Sequence, residues 1–230
     1  DPKAWVIKDY GLRLPIGPVK TLTMAGDSEA EAEPRTIALA AGSAWHLLQS
    51  DDMQYASSDG TRGKRFAGWL DLQRGDGLAC TVFERHFWQQ YPAALAVDKD
   101  GLAVKFWPAE CGGPLDLANK EEAWYRGNAY GVAKTHELVL RLHRTAAASA
   151  ETWARGVAEP LRVAAQPEAV LASNALGWLH PFDPERFADE EKALDNVFRG
   201  LELQQSATRI YGAMDFGDLH SKWDRNGSLW

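Results

Sequence analysis

The stretch FAGWLDLQRGDGLACTVFERHFW (66–88) decides how the chain is read. Phe66 to Gln73 and Leu78 to Trp88 flank Arg74-Gly75-Asp76-Gly77, a glycine-bearing turn between two runs of strand-forming residues, which predicts a β-hairpin. Side chains alternate along a strand. Thr81, Phe83, Arg85 and Phe87 therefore share one face of the second arm, and Cys80, Val82, Glu84, His86 and Trp88 share the other. Both faces mix apolar and polar groups, which places this strand beside a cleft.

Outward from this hairpin, the first ~140 residues carry short apolar runs punctuated by turn residues. Trp5-Val6-Ile7 and Leu12-Arg13-Leu14 bracket Asp9-Tyr10-Gly11 as a short hairpin would. Gly26 to Pro34 is acidic, small-residue-rich and without period, an exposed loop. Ile37 to Leu39 and Trp45 to Gln49 are apolar runs, and Ser57 to Lys64 reads as a polar loop. Ala94 to Val97 and Leu102 to Trp107 form a hairpin around Asp98-Lys99-Asp100-Gly101. Lys134 to Leu142 is the last strand, with Lys134, His136 and Leu138 on one face and Thr135, Glu137 and Val139 on the other. The character then changes. Ala146 to Leu161, Pro167 to Leu176 and a segment from Pro184 or Asp189 to Tyr211 read as helices, with Pro167 at a permitted first-turn position. The expected division is a β domain over 1–144 and a helical segment over 145–230, an α+β layout.

Composition narrows the function. Lys+Arg number 25 and Asp+Glu 32, a net charge of -7, which argues against a general nucleic-acid binder or a polybasic membrane binder. No run approaches the ~18 apolar residues of a membrane helix. Two cysteines, Cys80 and Cys111, exclude a disulfide-rich mini-protein and a four-cysteine zinc site, and leave a pairing between them open. Ten Trp suit packing on sugar rings, but core packing is the commoner use. The chain opens at Asp1-Pro2 and stops at Leu229-Trp230, which reads as a piece of a longer protein.

Three groups of residues could carry chemistry. Lys134 and His136 point the same way, just after Arg126 and Tyr130, and such groups stabilise anions and move protons. A solvated edge strand with a structural His is an equal alternative. Arg85 beside His86-Phe87-Trp88, and Trp107 after Phe106, put aromatics next to charge, as an anionic sugar would need. Asp215, Asp218 and His220, after Arg209 and Tyr211, could hold a cation such as calcium. Their spacing matches no calcium loop, so a solvated acidic loop is the favoured reading.

Arg65-Phe66-Ala67-Gly68-Trp69, Arg85-His86-Phe87-Trp88-Gln89-Gln90-Tyr91-Pro92, Gly101-Leu102 through Phe106-Trp107-Pro108, Gly131 through Glu137, and Tyr211-Gly212 through Asp218 then Trp223 resemble, in their order, the exo-acting rhamnogalacturonan lyase-like proteins. The resemblance implies a supersandwich-like antiparallel β-sandwich followed by an (α/α) toroid, of which this chain carries the first helices. It also implies a secreted or periplasmic protein acting on an acidic polysaccharide or oligosaccharide, completed by the remainder of its helical domain, with no nucleic acid or membrane partner. The implied chemistry is β-elimination at a rhamnose–uronic acid linkage. Lys134 and His136 would be neutraliser or base and Tyr211 acid or base, with Arg126 and Arg209 on the substrate carboxylate and Arg85, Trp107 and Asp218 as further substrate contacts. The competing expectations are a non-catalytic carbohydrate-binding sandwich, a glycoside hydrolase using Glu137 and Asp218, and a purely structural accessory domain.

Overall fold

The computed structural model describes residues 7–28, 33–115, 134–144, 148–208 and 211. They fall into two compact units, Asp1–Pro160 and Leu161–Trp230. Strands are numbered in chain order. In the first unit one sheet runs β1 (Tyr10–Leu14), β10 (Gly101–Trp107), β9 (Ala93–Asp98), β4 (Trp45–Asp51), β5 (Gln54–Ser57), β6 (Arg62–Gly63). The other runs β11 (Leu138–His143), β8 (Ala79–Glu84), β7 (Trp69–Arg74), β2 (Val19–Met24), β3 (Arg35–Ala38). Every neighbouring pair is antiparallel. Two antiparallel sheets with three helices make an α+β fold with a β-sandwich-like layout.

The hairpin read from 66–88 is β7–β8. Its turn closes with Arg74 N–H donating to Leu78 O at 2.8 Å, and Arg74 pairs Asp76 at 2.9 Å. The sandwich interior takes Leu47, Leu95, Leu102 and Val104 from one sheet and Leu22, Leu70, Leu72 and Val82 from the other. The six-stranded sheet alternates buried and more exposed residues along β10, so it is covered on one face. In β8 all six residues are buried. The helix α1 (Ala148–Ala158) packs on β8, and Ala150 and Ala154, one turn apart, are fully buried. The second sheet is thus a middle layer.

That layering forces polar groups on β7 and β8 to find partners inside the protein. Thr36, Thr23, Asp71, Thr81 and Arg141 oppose one another in a row across five strands. Thr81 Oγ1 donates to Asp71 Oδ1 at 2.7 Å, and His143 Nε2 lies 2.7 Å from the same oxygen. Thr81 Oγ1 and His143 Nε2 are also 2.9 Å apart. One ring nitrogen, His143 Nε2, lies within reach of both partners, so the three side chains form a closed triangle.

Several local expectations change. The second arm of the hairpin ends at Glu84 and not at Trp88, so Arg85 and Phe87 do not share a strand face. No turn forms at Asp9–Gly11: Tyr10 and Gly11 lie inside β1, which pairs with β10, and Ile7 bridges Leu115. The last strand begins at Leu138 and not at Lys134. The strands stop at His143, yet α1 remains part of the first unit because its alanines are buried against β8.

In the second unit, α2 (Pro167–Ser173) opens on Pro167 and closes on Asn174 in the left-handed conformation. The helix α3 (Ala188–Thr208) is fastened at its start by Asp183 N–H donating to Glu191 Oε1 at 3.0 Å. Leu194, Val197, Phe198 and Leu201 recur at helical spacing along α3 and are all exposed. Among the described residues no helix is long and apolar enough to cross a membrane.

Gly68 sets where β8 ends. Its φ is +80°, its carbonyl accepts Glu84 N–H at 2.8 Å, and a Cβ there would stand 2.6 Å from Glu84 O. Gly68→Ala is expected to cost about 2 kcal/mol or more, since left-handed strain of ~1–2 kcal/mol adds to a backbone clash. Gly77→Ala, at the same φ but with no atom within 4 Å of the new Cβ, should cost only about 1 kcal/mol. Urea unfolding of both variants checks this, and equal losses would contradict the close-approach account.

Candidate functional site

At its C-terminal end β8 runs into a tight turn, with Gln90 N–H donating to His86 O at 3.0 Å. Phe87 anchors the turn: it is 2% exposed and meets Phe66 edge-on at 5.4 Å between ring centres. Phe66 is held in turn by buried Gln49, whose Oε1 accepts Phe66 N–H at 3.0 Å while its Nε2 donates to Asp51 O and Lys64 O. Between these anchors His86 is exposed and adopts φ 59°, a left-handed conformation uncommon outside glycine.

This turn, the Gly26–Ser28 segment and α1 enclose a cleft of about 830 Å³, lying wholly within the first unit. Arg85 closes one end. Its Nε pairs Glu137 Oε2 at 2.9 Å, and its terminal nitrogens donate to Val157 O at 2.9 Å and Ala158 O at 3.3 Å. A guanidinium on the last carbonyls of a helix satisfies groups the helix leaves open and suits its negative end. Arg65 lies 4.2 Å over the ring of Trp88, fixing that half-buried side chain on the wall. The charged lining comprises Asp27, Glu33, Glu84, Glu151 and Glu159 against Arg85 and Arg155, so the cleft is acidic on balance.

Behind the turn lies a buried polar pocket. His136 Nδ1 is 3.0 Å from Glu84 Oε1, with the two side chains 5% and 0% exposed. Phe106 stacks on the imidazole at 4.0 Å. Glu84 Oε2 and His136 Nε2 are buried with no hydrogen-bond partner among the described residues. Lys134 donates to Gln90 O at 3.4 Å. Burial pushes the Glu84 carboxyl up, opposed by His136 and Lys134, and lowers the Lys134 ammonium, opposed by Glu84.

Lys134 and His136 thus converge on one carboxyl, in line with the shared face read from the sequence. Both are turned inward. Arg85 reaches the cleft, but its guanidinium is spent on Glu137 and α1. Trp107 falls on the same side of β10 as Ala103 and Lys105, away from the interior, with its Nε1 donating to Gly113 O at 3.0 Å; it does not line the cleft. Tyr211 belongs to the second unit and is half-buried. Arg126, Arg209 and Asp218 lie outside the described residues, as does the Asp215–His220 cation cluster. Cys80 and Cys111 are both free thiols, and burial raises each. Among the described residues no group of three His, Cys, Asp or Glu could hold a metal ion.

Sequence reasoning missed the cleft's other wall. Glu151, Arg155 and Glu159 sit in what reads as an Ala-rich helix, and Asp27 and Glu33 in what reads as an acidic, exposed loop. Their only sequence signal was the mixed face of β8, which called for a neighbour without naming one. No protein-family model matches the chain, and no curated protein matches it.

Two outcomes follow from this geometry. Arg85→Ala is expected to cost about 2 kcal/mol, because charge-assisted bonds contribute ~1.5–3 kcal/mol and the pair is partly exposed. Arg85→Lys should not restore it, since one ammonium cannot serve three directions. Limited proteolysis should show α1 cut first in both variants, and an α1 as resistant as in the wild type would contradict Arg85's hold on the end of the helix. For Glu84, a carboxyl raised above its ordinary 4.5 favours the fold fully below that pH, and this contribution is lost as pH rises through the raised value. Glu84→Gln removes the slope, so the variant's stability relative to wild type should grow as pH rises from 4.5. A difference independent of pH would contradict the desolvated carboxyl.

Proposed function

We propose that the chain is part of a carbohydrate-active protein of the polysaccharide-lyase type, with the sandwich-like unit as its sugar-binding and supporting half. The observation that carries this reading is the cleft at the end of β8, where Trp88 is fixed by Arg65 among hydrogen-bonding side chains. A flat aromatic wall beside polar groups in a trough of this size suits one or two sugar rings. On this reading the helices of the second unit open an (α/α) toroid, and the exposed apolar stripe of α3 supports further helices packing there. Secretion and an acidic polysaccharide such as rhamnogalacturonan belong to the same reading, through the resemblance of the ordered motifs.

Elimination at a uronic acid needs a base for the C5 proton and donors on the neighbouring carboxylate. Within the described residues Lys134, His136 and Arg85 are bonded internally. That observation favours the second reading, a binding and accessory module whose elimination chemistry lies with groups outside these residues. The hydrolase reading has only Glu137 within the described residues, and it is committed to Arg85.

The test is to incubate the full chain with a rhamnogalacturonan panel and follow both binding and absorbance of a 4,5-unsaturated uronate. Saturable binding is expected, weakened about 3- to 10-fold by Trp88→Ala, the loss of one aromatic contact worth ~0.5–1.5 kcal/mol. Unsaturated product would favour the lyase over the accessory module. No binding to any member of the panel would remove both.

A further inference from the structure

The cleft's charge says which sugar it takes. Arg85 is neutralised by Glu137, and Arg155 pairs Glu151 at 2.8 Å, one turn apart on α1. Asp27 is occupied by Lys64 N–H at 2.6 Å and Arg65 N–H at 3.3 Å. Glu33 and Glu159 are exposed on the lining and have neither a hydrogen-bonding nor an ionic side-chain partner among the described residues. Among the described residues both lining arginines are thus already paired, while two lining carboxylates are not. An incoming carboxylate would meet like charge, with no unpaired arginine or lysine among the described residues of the lining to receive it. A hydroxyl-rich, uncharged ring meets carboxylate acceptors, the His86 and Gln89 side chains and the Trp88 wall, and carboxylates are the stronger acceptors.

We propose that this cleft is a subsite for an uncharged sugar residue, and that Glu33 and Glu159 reject a free uronate. The proposal rests on the carbohydrate reading above and deepens it: in a polymer alternating neutral deoxy-sugar and uronic acid, the neutral unit would lie here. Two unit charges ~6 Å apart shift an equilibrium roughly 3-fold at the dielectric of bulk water and about 100-fold at an effective dielectric of 20. Discrimination of about 5-fold or more is therefore expected, and it should shrink with salt because the groups are exposed.

The probes are one oligogalacturonide in two forms, fully methyl-esterified and fully de-esterified. They share every ring and differ in charge. Titration of the full chain at low and high salt should give tighter binding of the ester, with a gap that narrows at high salt. The double variant Glu33→Gln/Glu159→Gln should raise affinity for the acid and not for the ester, so that the ester-to-acid ratio falls toward one. Both positions are exposed, so the variant should unfold at the wild-type urea midpoint. The proposal is overturned if the acid binds as tightly as the ester to the wild type, or if the double variant keeps the wild-type ratio. Binding of neither form would overturn the subsite, and with a silent rhamnogalacturonan panel it would overturn the carbohydrate reading itself, a result distinct from binding without discrimination.

Discussion

The burial of β8 on both faces is the constraint from which the rest of the first unit follows. A strand between another sheet and a helix cannot leave a polar side chain to water, and an unpaired buried group costs ~1–3 kcal/mol. Asp71 and Thr81 answer this with His143, and Glu84 answers it with His136. Both histidines come from the segment around the edge strand β11, so the two-sided burial fixes β11 in register at each end. Where β8 leaves the layer, Arg85 turns outward to the end of α1 and Phe87 turns inward to Phe66. His86, caught between those commitments, takes the left-handed conformation.

The division of labour between pocket and cleft comes from the same geometry. The pocket behind the turn holds the groups whose chemistry is best suited to proton transfer, but it has stacked Phe106 over one of them and bonded another to the backbone. The cleft in front holds groups suited to recognition, with an aromatic wall, an imidazole and carboxylates. A single tripeptide, Glu84-Arg85-His86, contributes to both. Buried Glu84 and exposed His86 are therefore close along the chain and opposite in exposure, because the strand ends at Glu84 and the turn that follows carries His86 out in the left-handed conformation.

Much of this was legible in the sequence. The Arg74–Gly77 turn and the Asp98–Gly101 turn carry their own chemistry and lie where expected. The three helices start and stop within a few residues of their caps and prolines. The common face of Lys134 and His136 survives, although those residues precede the strand and are not part of it. What was not legible depends on tertiary contact. β2, Val19–Met24, lies near the centre of its sheet, yet threonines and a lysine interrupt its apolar residues, and a register shift between Val19 and Thr21 blurs the alternation. β6, two residues long, lies inside the stretch Ser57 to Lys64 that reads as a polar loop, and the four residues of β5 are too few to show a period. Glu84 carried no mark of being His136's partner, because the two are 52 positions apart. The acidity of the cleft was invisible for the same reason: its carboxylates come from a loop and a helix far apart in the chain.

The proposed ligand site lies at the end of β8 and not on the outer face of the other sheet. Mapping amide chemical shifts of the full chain during titration with methyl-esterified oligogalacturonide tests it most directly. The shifted amides should cluster at Gly26–Ser28, at Arg85–Gln89 and along Glu151–Glu159, with Trp107 and its neighbours on β10 unmoved. Shifts centred on Trp107, with the three cleft segments silent, would contradict the account.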